Sequence, residues 1–175
     1  GMDHFALPDD ELAQALRAGT LQRNFQGYST RGGLDLLGLG MSSISRLGAA
    51  YSQNARTLRD YQDALDGGQL AVERGVLLTP EDCLRREVIA ALMCGGRLEF
   101  GEIERRHGVD FRSHFAWELG EMRQLQDDGL VQLDDKGISV THSGRYLLRS
   151  IAMPFDAYLS RGDSVTAEPR FSRAI

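Results

Sequence analysis

The chain has 175 residues, of which 42% are hydrophobic and 26% charged, with a formal net charge of −5. That length suits one domain, or one and a half, burying roughly 70% of the unfolded surface. No run approaches the ~18 apolar residues of a membrane span, and no basic, apolar and cleavage-site succession opens the chain, so a soluble, cytoplasmic protein with no membrane partner is expected. Lys136 is the sole lysine among twenty basic residues. This arginine bias reads as codon usage, and nothing in it marks a polyanion partner. Cys83 and Cys94 are too few and too far apart for a disulfide scaffold or a metal motif, and read as two reduced thiols on a partly buried helix.

The first element is a short helix in "LPDDELAQALRAG", with Pro8 at its first position, Asp9, Asp10 and Glu11 at the positive end of the dipole, and Gly19 as its stop. Leu12, Ala15 and Leu16 make its apolar stripe. The segment "LDLLGLGMSSIS" is apolar on both alternating faces, which predicts a strand over 34–43 buried on both sides, although strands to flank it are not evident. From Thr57 a helix is expected through Leu58, Tyr61 and Leu65, ended by Gly67 and Gly68 and followed by a polar connection. "TPEDCLRREVIAALMCGG" carries the clearest helix start, with Thr79 as N-cap, Pro80 at the first position, Asp82 in a capping box and Leu84, Val88 and Leu92 as the buried face.

Further helices are expected over 100–107, stopped by Gly108, and over 111–127, with Phe115, Leu119 and Met122 on the stripe. "GLVQLDDKGISVT" alternates as a hairpin turning at Asp135, Lys136 and Gly137. A closing helix then runs through Tyr146, Leu148, Ile151 and Phe155, bent at Pro154, before a tail. Three helices, a hairpin and a closing helix over 79–160 spell a winged-helix-like arrangement.

Few residues suggest a catalytic site. Gly38 and Gly40 half resemble a dinucleotide fingerprint, but the third glycine and the following helix are missing, so close backbone approach is the better reading. Ser42 lacks the second glycine of a nucleophile elbow. The scattered histidines His107, His114 and His142 read as surface or helix-end groups, and His4 is more open because it follows an acidic residue near the start. A DNA-reading role for the 111–127 helix is opposed by its charge: Asp110, Glu118, Glu121, Asp127 and Asp128 face only Arg112 and Arg123.

In order, "MDHFALPDDELAQAL", "LQRNFQGYSTRGGLDLLGLGMSSIS", "LTPEDCLRREVIAALMC", "DDGLVQLDDKGISVTHSGRYLLRSIAMPFDAYL" and "RFSRAI" resemble the C-terminal part of the oxygen-independent coproporphyrinogen III oxidase family. The resemblance covers essentially the whole chain, with "RNFQGY" and "DLLGLGMSSIS" as its most specific stretches. It implies a radical S-adenosylmethionine enzyme of haem biosynthesis with an incomplete α/β barrel, a [4Fe–4S] cluster, two S-adenosylmethionine molecules and a helical C-terminal domain. The implied reaction is oxidative decarboxylation of coproporphyrinogen III to protoporphyrinogen IX, in which a deoxyadenosyl radical removes a propionate hydrogen.

The family's CxxxCxxC motif is absent from this sequence, so neither a cluster nor a metal ligand is expected in it, and the chain reads as a C-terminal fragment inactive by itself. The resemblance implies that Phe25, Gln26 and Ile44 contact the second S-adenosylmethionine, and it assigns no catalytic residue. The expected fold is α+β and mostly α: residues 1–56 an edge of the barrel, 57–78 a linking helix and connection, 79–160 the winged-helix-like domain with its hairpin, and 161–175 a tail. Coproporphyrinogen III is the expected substrate of the whole enzyme, without nucleic acid, and a dimer through the exposed strand at 34–43 is a further expectation. The alternative class is a stand-alone regulatory or binding module, either a winged helix on DNA or a haem-binding relative of the oxidase.

Overall fold

The computed structural model describes residues 6–25 and 27–159. The expectations for His4, Gln26 and the tail from 161 therefore lie outside the described residues. Helix α1 (Glu11–Arg17) is capped by the Asp10 side chain, which accepts from Leu12 N at 2.8 Å. Pro8 is not the first helical residue as expected; it sits in the turn before the cap, where its carbonyl accepts from Arg17. Pro8 at the first helical position would make Leu7 the cap, and leucine has no side-chain acceptor, whereas the Asp10 carboxylate satisfies an orphan amide of the first turn.

A hairpin follows, β1 (Gln22–Asn24) with β2 (Gly27–Ser29), and then an antiparallel sheet of β3 (Ile44–Leu47), β4 (Ala50–Asn54) and β5 (Val72–Leu77) in the order β3-β4-β5. Helix α2 (Leu58–Asp66) connects β4 to β5 and is capped by Thr57, as its sequence predicts. The connection expected to be polar and irregular after α2 is thus largely the strand β5. Every residue of β5 is exposed, and its Gly75 lies close over β4, where a Cβ would sit 2.9 Å from the Tyr51 carbonyl oxygen.

The doubly buried strand expected over 34–43 is not there. That segment is a loop with one isolated bridge, Leu36 to Arg46, and Leu34, Leu37 and Leu39 are 57%, 70% and 88% exposed. Its shape comes from polar ties. Asn54 donates to the carbonyls of Gly38 and Gly40, Tyr61 OH accepts from Gly40 N, and Ser42 N reaches Ala55 O. The glycines serve these close approaches: a Cβ on Gly38 would stand 2.8 Å from Ile44 O, and Gly40 has φ +95°. A strand edge for dimer formation is accordingly not provided by 34–43.

Helix α3 (Pro80–Ala90) begins with the expected capping box, Thr79 and Asp82 bonding each other's backbone amides. It runs into a π-helical turn (Ala91–Gly95) closed by Gly96 in the left-handed region, φ +64°. Strand β6 (Arg97–Glu99), helix α4 (Phe100–His107), helices α5 (Phe111–His114) and α6 (Ala116–Asp127), and strands β7 (Val131–Leu133) and β8 (Gly137–Val140) complete a compact unit with sheet order β6-β8-β7. The hairpin is as expected, its turn held by Asp134, which accepts from Lys136 N and Gly137 N.

The helix expected over 111–127 breaks at Phe115 (φ −106°, ψ 32°). The closing helix is instead two 3₁₀ turns around α7 (Leu148–Ala152), which leaves Tyr146 81% exposed while Ile151 and Phe155 are fully buried. One core joins Leu84, Val88 and Leu92 of α3 to Phe100, Phe111, Phe115, Met122, Ile138, Ile151 and Phe155. Fourteen residues make that cluster, and none precedes Leu84. Among the described residues no sheet closes into a barrel, and no helix is long and apolar enough to cross a membrane.

Candidate functional site

A cavity of about 700 Å³ opens between the N-terminal strands and one face of α3. That size suits a small-molecule ligand. Its apolar wall combines Phe25, Tyr51, Leu78, Ile89 and Met93. Phe25, which follows β1, is 53% exposed and meets the Tyr51 ring edge-on with centroids 5.4 Å apart. A half-exposed aromatic pair at the mouth of a cleft offers an apolar face to a flat ligand.

The polar lining is rich in arginine: Arg23 from β1, Arg31 from the loop after β2, Arg46 from β3, and Arg85 and Arg86 from α3. Arg85 belongs to the core rather than to a ligand. It donates to Glu118 at 2.9 Å, to Glu81 at 2.5 Å and to the Phe155 carbonyl at 3.1 Å, and lies 5.1 Å from the centre of the Phe115 ring. Burial works against its charge, but the hydrogen bonds to Glu81 and Glu118 outweigh burial and hold its pKa above the ordinary value. Glu118 is 1% exposed. It therefore presents no charge to an approaching duplex, and in this respect the charge reading of the 111–127 helix is corrected.

Three carboxylates share the cleft, and each is engaged by its own neighbours. Asp35 accepts from Gly48 N, Asp156 from Tyr158 N, and Asp82 from Thr79 N, Thr79 OH and Tyr158 OH. The Thr79 amide and hydroxyl, then Tyr158, hold the Asp82 carboxyl below its usual range, and the same bond pushes the Tyr158 phenol up. Cys94 lies deeper in the cleft, its thiol pKa pushed up by burial, which makes it a packing group rather than a nucleophile. His107 and His114 bond Glu87 and Glu81, as helix-end groups do.

Of the three residues implicated by resemblance, Phe25 is on the cleft wall. Ile44 is not; on β3 it projects to the same face as the lining residue Arg46, one pleat along and opposite Gln53, while Ser45 between them is buried. The arginines escaped the sequence reading because no spacing links positions 23, 31, 46 and 86, and the general arginine bias masked them. Among the described residues no group of three or more His, Cys, Asp or Glu could hold a metal ion.

Residues 78–147 match the family model of the HemN C-terminal domain. Over all its 175 residues the chain is 54% identical to the oxygen-independent coproporphyrinogen III oxidase of Pseudomonas aeruginosa and 49% identical to that of Escherichia coli, covering 37% and 38% of them. A relative of the same name from Thermostichus vulcanus is 48% identical and covered to 53%. The chain thus spans between about a third and a half of the curated relatives' length. The fold matches the solved structure of coproporphyrinogen III oxidase (HemN) from Escherichia coli, a radical SAM enzyme, with a TM-score of 0.88 and 51% identity, over 91% of this chain and 37% of that one. By sequence along its whole length and by the fold of its strands and helices alike, this chain matches the C-terminal part of oxygen-independent coproporphyrinogen III oxidases.

Proposed function

We propose that the chain forms one side of the substrate chamber in the oxidative decarboxylation of coproporphyrinogen III to protoporphyrinogen IX, in the cytoplasm. The observation that carries this is identity of about half, over every residue, to oxidases of that name. The proposed organisation is a barrel-edge portion over 1–56, a link over 57–78, a winged-helix-like domain over 79–160 and a tail over 161–175. Support for the winged-helix reading comes from the order α3, β6, α4, α6, β7, β8, in which the short strand β6 joins the hairpin sheet. Leu37, Leu39, Leu70 and Leu77, between 70% and 88% exposed, are surface that the remainder of a longer oxidase would cover. A pairing of two copies through a sheet edge would use β5 rather than 34–43.

The described residues do not fit a [4Fe–4S] cluster, which needs three close thiolates, and no step is derived through one. Support for a flank of S-adenosylmethionine comes from the exposed Phe25 ring on the cleft wall, with Ile44 on β3 as a second apolar group and the Gln26 amide, outside the described residues, as the polar contact that the resemblance implies. The chemistry expected of bound S-adenosylmethionine is formation of a carbon-centred radical. The task of this chain's own residues is to exclude water, with Phe25, Tyr51, Leu78 and Ile89 lining the chamber, so that a reactive intermediate is not quenched by solvent. No residue is assigned as catalytic, and no nucleic acid is required.

The test is a chimera in which this chain replaces the matching segment of the Escherichia coli enzyme. Anaerobic turnover of coproporphyrinogen III, reduced by Phe25→Ala, is expected. A chimera that folds and carries its iron and sulfide but does not turn over refutes the proposal.

A further inference from the structure

The chain carries a net charge of −5, yet the cavity beside α3 gathers guanidinium groups from four separate parts of the fold. Outside the cleft Arg17, Arg74, Arg105, Arg123, Arg145 and Arg149 also have no carboxylate within ion-pair distance among the described residues, while five arginines are neutralised at contact distance: Arg56 by Glu73, Arg59 by Asp63, Arg97 by Glu99, Arg106 by Glu87 and Glu102, and Arg112 by Asp135. In the cleft only Arg85 is treated this way. Arg23, Arg31, Arg46 and Arg86 have no carboxylate within ion-pair distance among the described residues.

Their few contacts leave most donors open. Arg46 gives one N–H to the Leu34 carbonyl, Arg86 reaches Tyr51 OH at 3.4 Å, and Arg23 lies 5.5 Å from the centre of the Tyr28 ring. Each guanidinium has five N–H groups arranged to grip a carboxylate. The cleft's own carboxylates do not take them, because Asp35, Asp82 and Asp156 are bonded to local amides and hydroxyls. Backbone ties keep two of these arginines in place: Arg46 pairs with Leu36 through both amide and carbonyl at 2.8 Å, and Arg23 is opposite Tyr28 in the β1–β2 hairpin.

We infer that Arg23, Arg31, Arg46 and Arg86 are a carboxylate-docking set, and that their ligand is a tetrapyrrole bearing several propionate-type carboxylates. The inference rests on the substrate reading above and adds which residues hold the substrate's charges. An apolar wall of Tyr51, Leu78, Ile89 and Met93 accepts the ring system, and the arginines around it fix its rotation by capturing the side chains at its edge. The four arginines are positioning residues and take no part in bond breaking.

The test measures binding of coproporphyrin III, a stable tetracarboxylate with the same ring substituents, to this chain by fluorescence quenching, beside the same ring with its carboxylates converted to amides. Arg31→Gln and Arg46→Gln are each expected to weaken coproporphyrin binding about tenfold, about 1.4 kcal/mol, and to move the amide by less than about twofold. Arg31→Lys recovers part of the loss, while Arg59→Gln, away from the cleft, changes nothing. Raised salt weakens the acid more than the amide. The inference is overturned if the unchanged chain binds acid and amide equally, if it binds neither, or if the Gln variants lose both together. It is also overturned if those variants bind coproporphyrin normally. The function proposal is judged separately by turnover of the chimera, so an active chimera with an arginine-indifferent KM rejects the docking set alone.

Discussion

Removing Arg85 isolates the strongest polar term in the core. Its guanidinium bridges Glu118, 1% exposed, to Glu81 and the Phe155 carbonyl, tying α3 to α6 and to the turn that ends the described chain's core. Arg85→Met keeps the apolar stem but takes the guanidinium away from the buried Glu118 carboxylate. Breaking one side of a buried pair costs about 3–5 kcal/mol, because the remaining charge keeps its desolvation penalty and loses the attraction that offset it. At about 2–4 °C per kcal/mol for a chain of this size, Tm should fall by about 10 °C. Replacing both partners, Arg85→Met with Glu118→Leu, removes the buried charge as well and should recover most of the loss. Urea and thermal unfolding followed by circular dichroism on the parent, the two single variants and the double variant give the coupling. Single losses below about 1 kcal/mol, or a double variant as unstable as the sum of its singles, would refute the reasoning.

Glycine positions give a contrasting pair. At Gly144 a Cβ would lie 2.0 Å from the Leu130 carbonyl oxygen, so Gly144→Ala forces a backbone shift and should cost at least about 2 kcal/mol in urea unfolding. On α6, Gly120 meets nothing within 4 Å, and Gly120→Ala should stabilise by about 0.5–1 kcal/mol through helix propensity. Thr79→Ala removes half of the capping box on α3 and should cost about 1 kcal/mol, read as a lower urea midpoint. Asp82 is ionised more readily in the fold than its ordinary 3.8, chiefly through the Thr79 amide. A depressed carboxylate stabilises fully above that unfolded value and loses its contribution as pH falls through the folded one. Asp82→Asn should therefore flatten the acid limb of stability below pH 3.8; an unchanged acid limb in urea midpoints would show that the group is not responsible.

Local signals account for most of what was legible before the structure. Thr79, Pro80 and Asp82 announce α3; Gly108 ends α4; Asp134 and Gly137 shape the hairpin; and the apolar stripe from Leu84 through Met122 does become the core. The strands outside that hairpin were the failures. Strand β6 has three residues and exists because Leu98 pairs with Ile138, forty positions away, and β5 has no buried face to generate alternation. The apolar run at 34–43 imitated a buried strand, but Asn54 and Tyr61 hold it as a loop.

The sequence by itself determined most helix starts, the core face and the resemblance to the oxidase's C-terminal part, because capping, glycine geometry and apolar spacing act within a few residues and identity is read position by position. Only the tertiary structure decided the cleft. Arg23, Arg31, Arg46 and Arg86 lie on different elements and share no spacing, so their common wall, and the absence of carboxylate partners for them among the described residues, exist only once the β strands pack across α3.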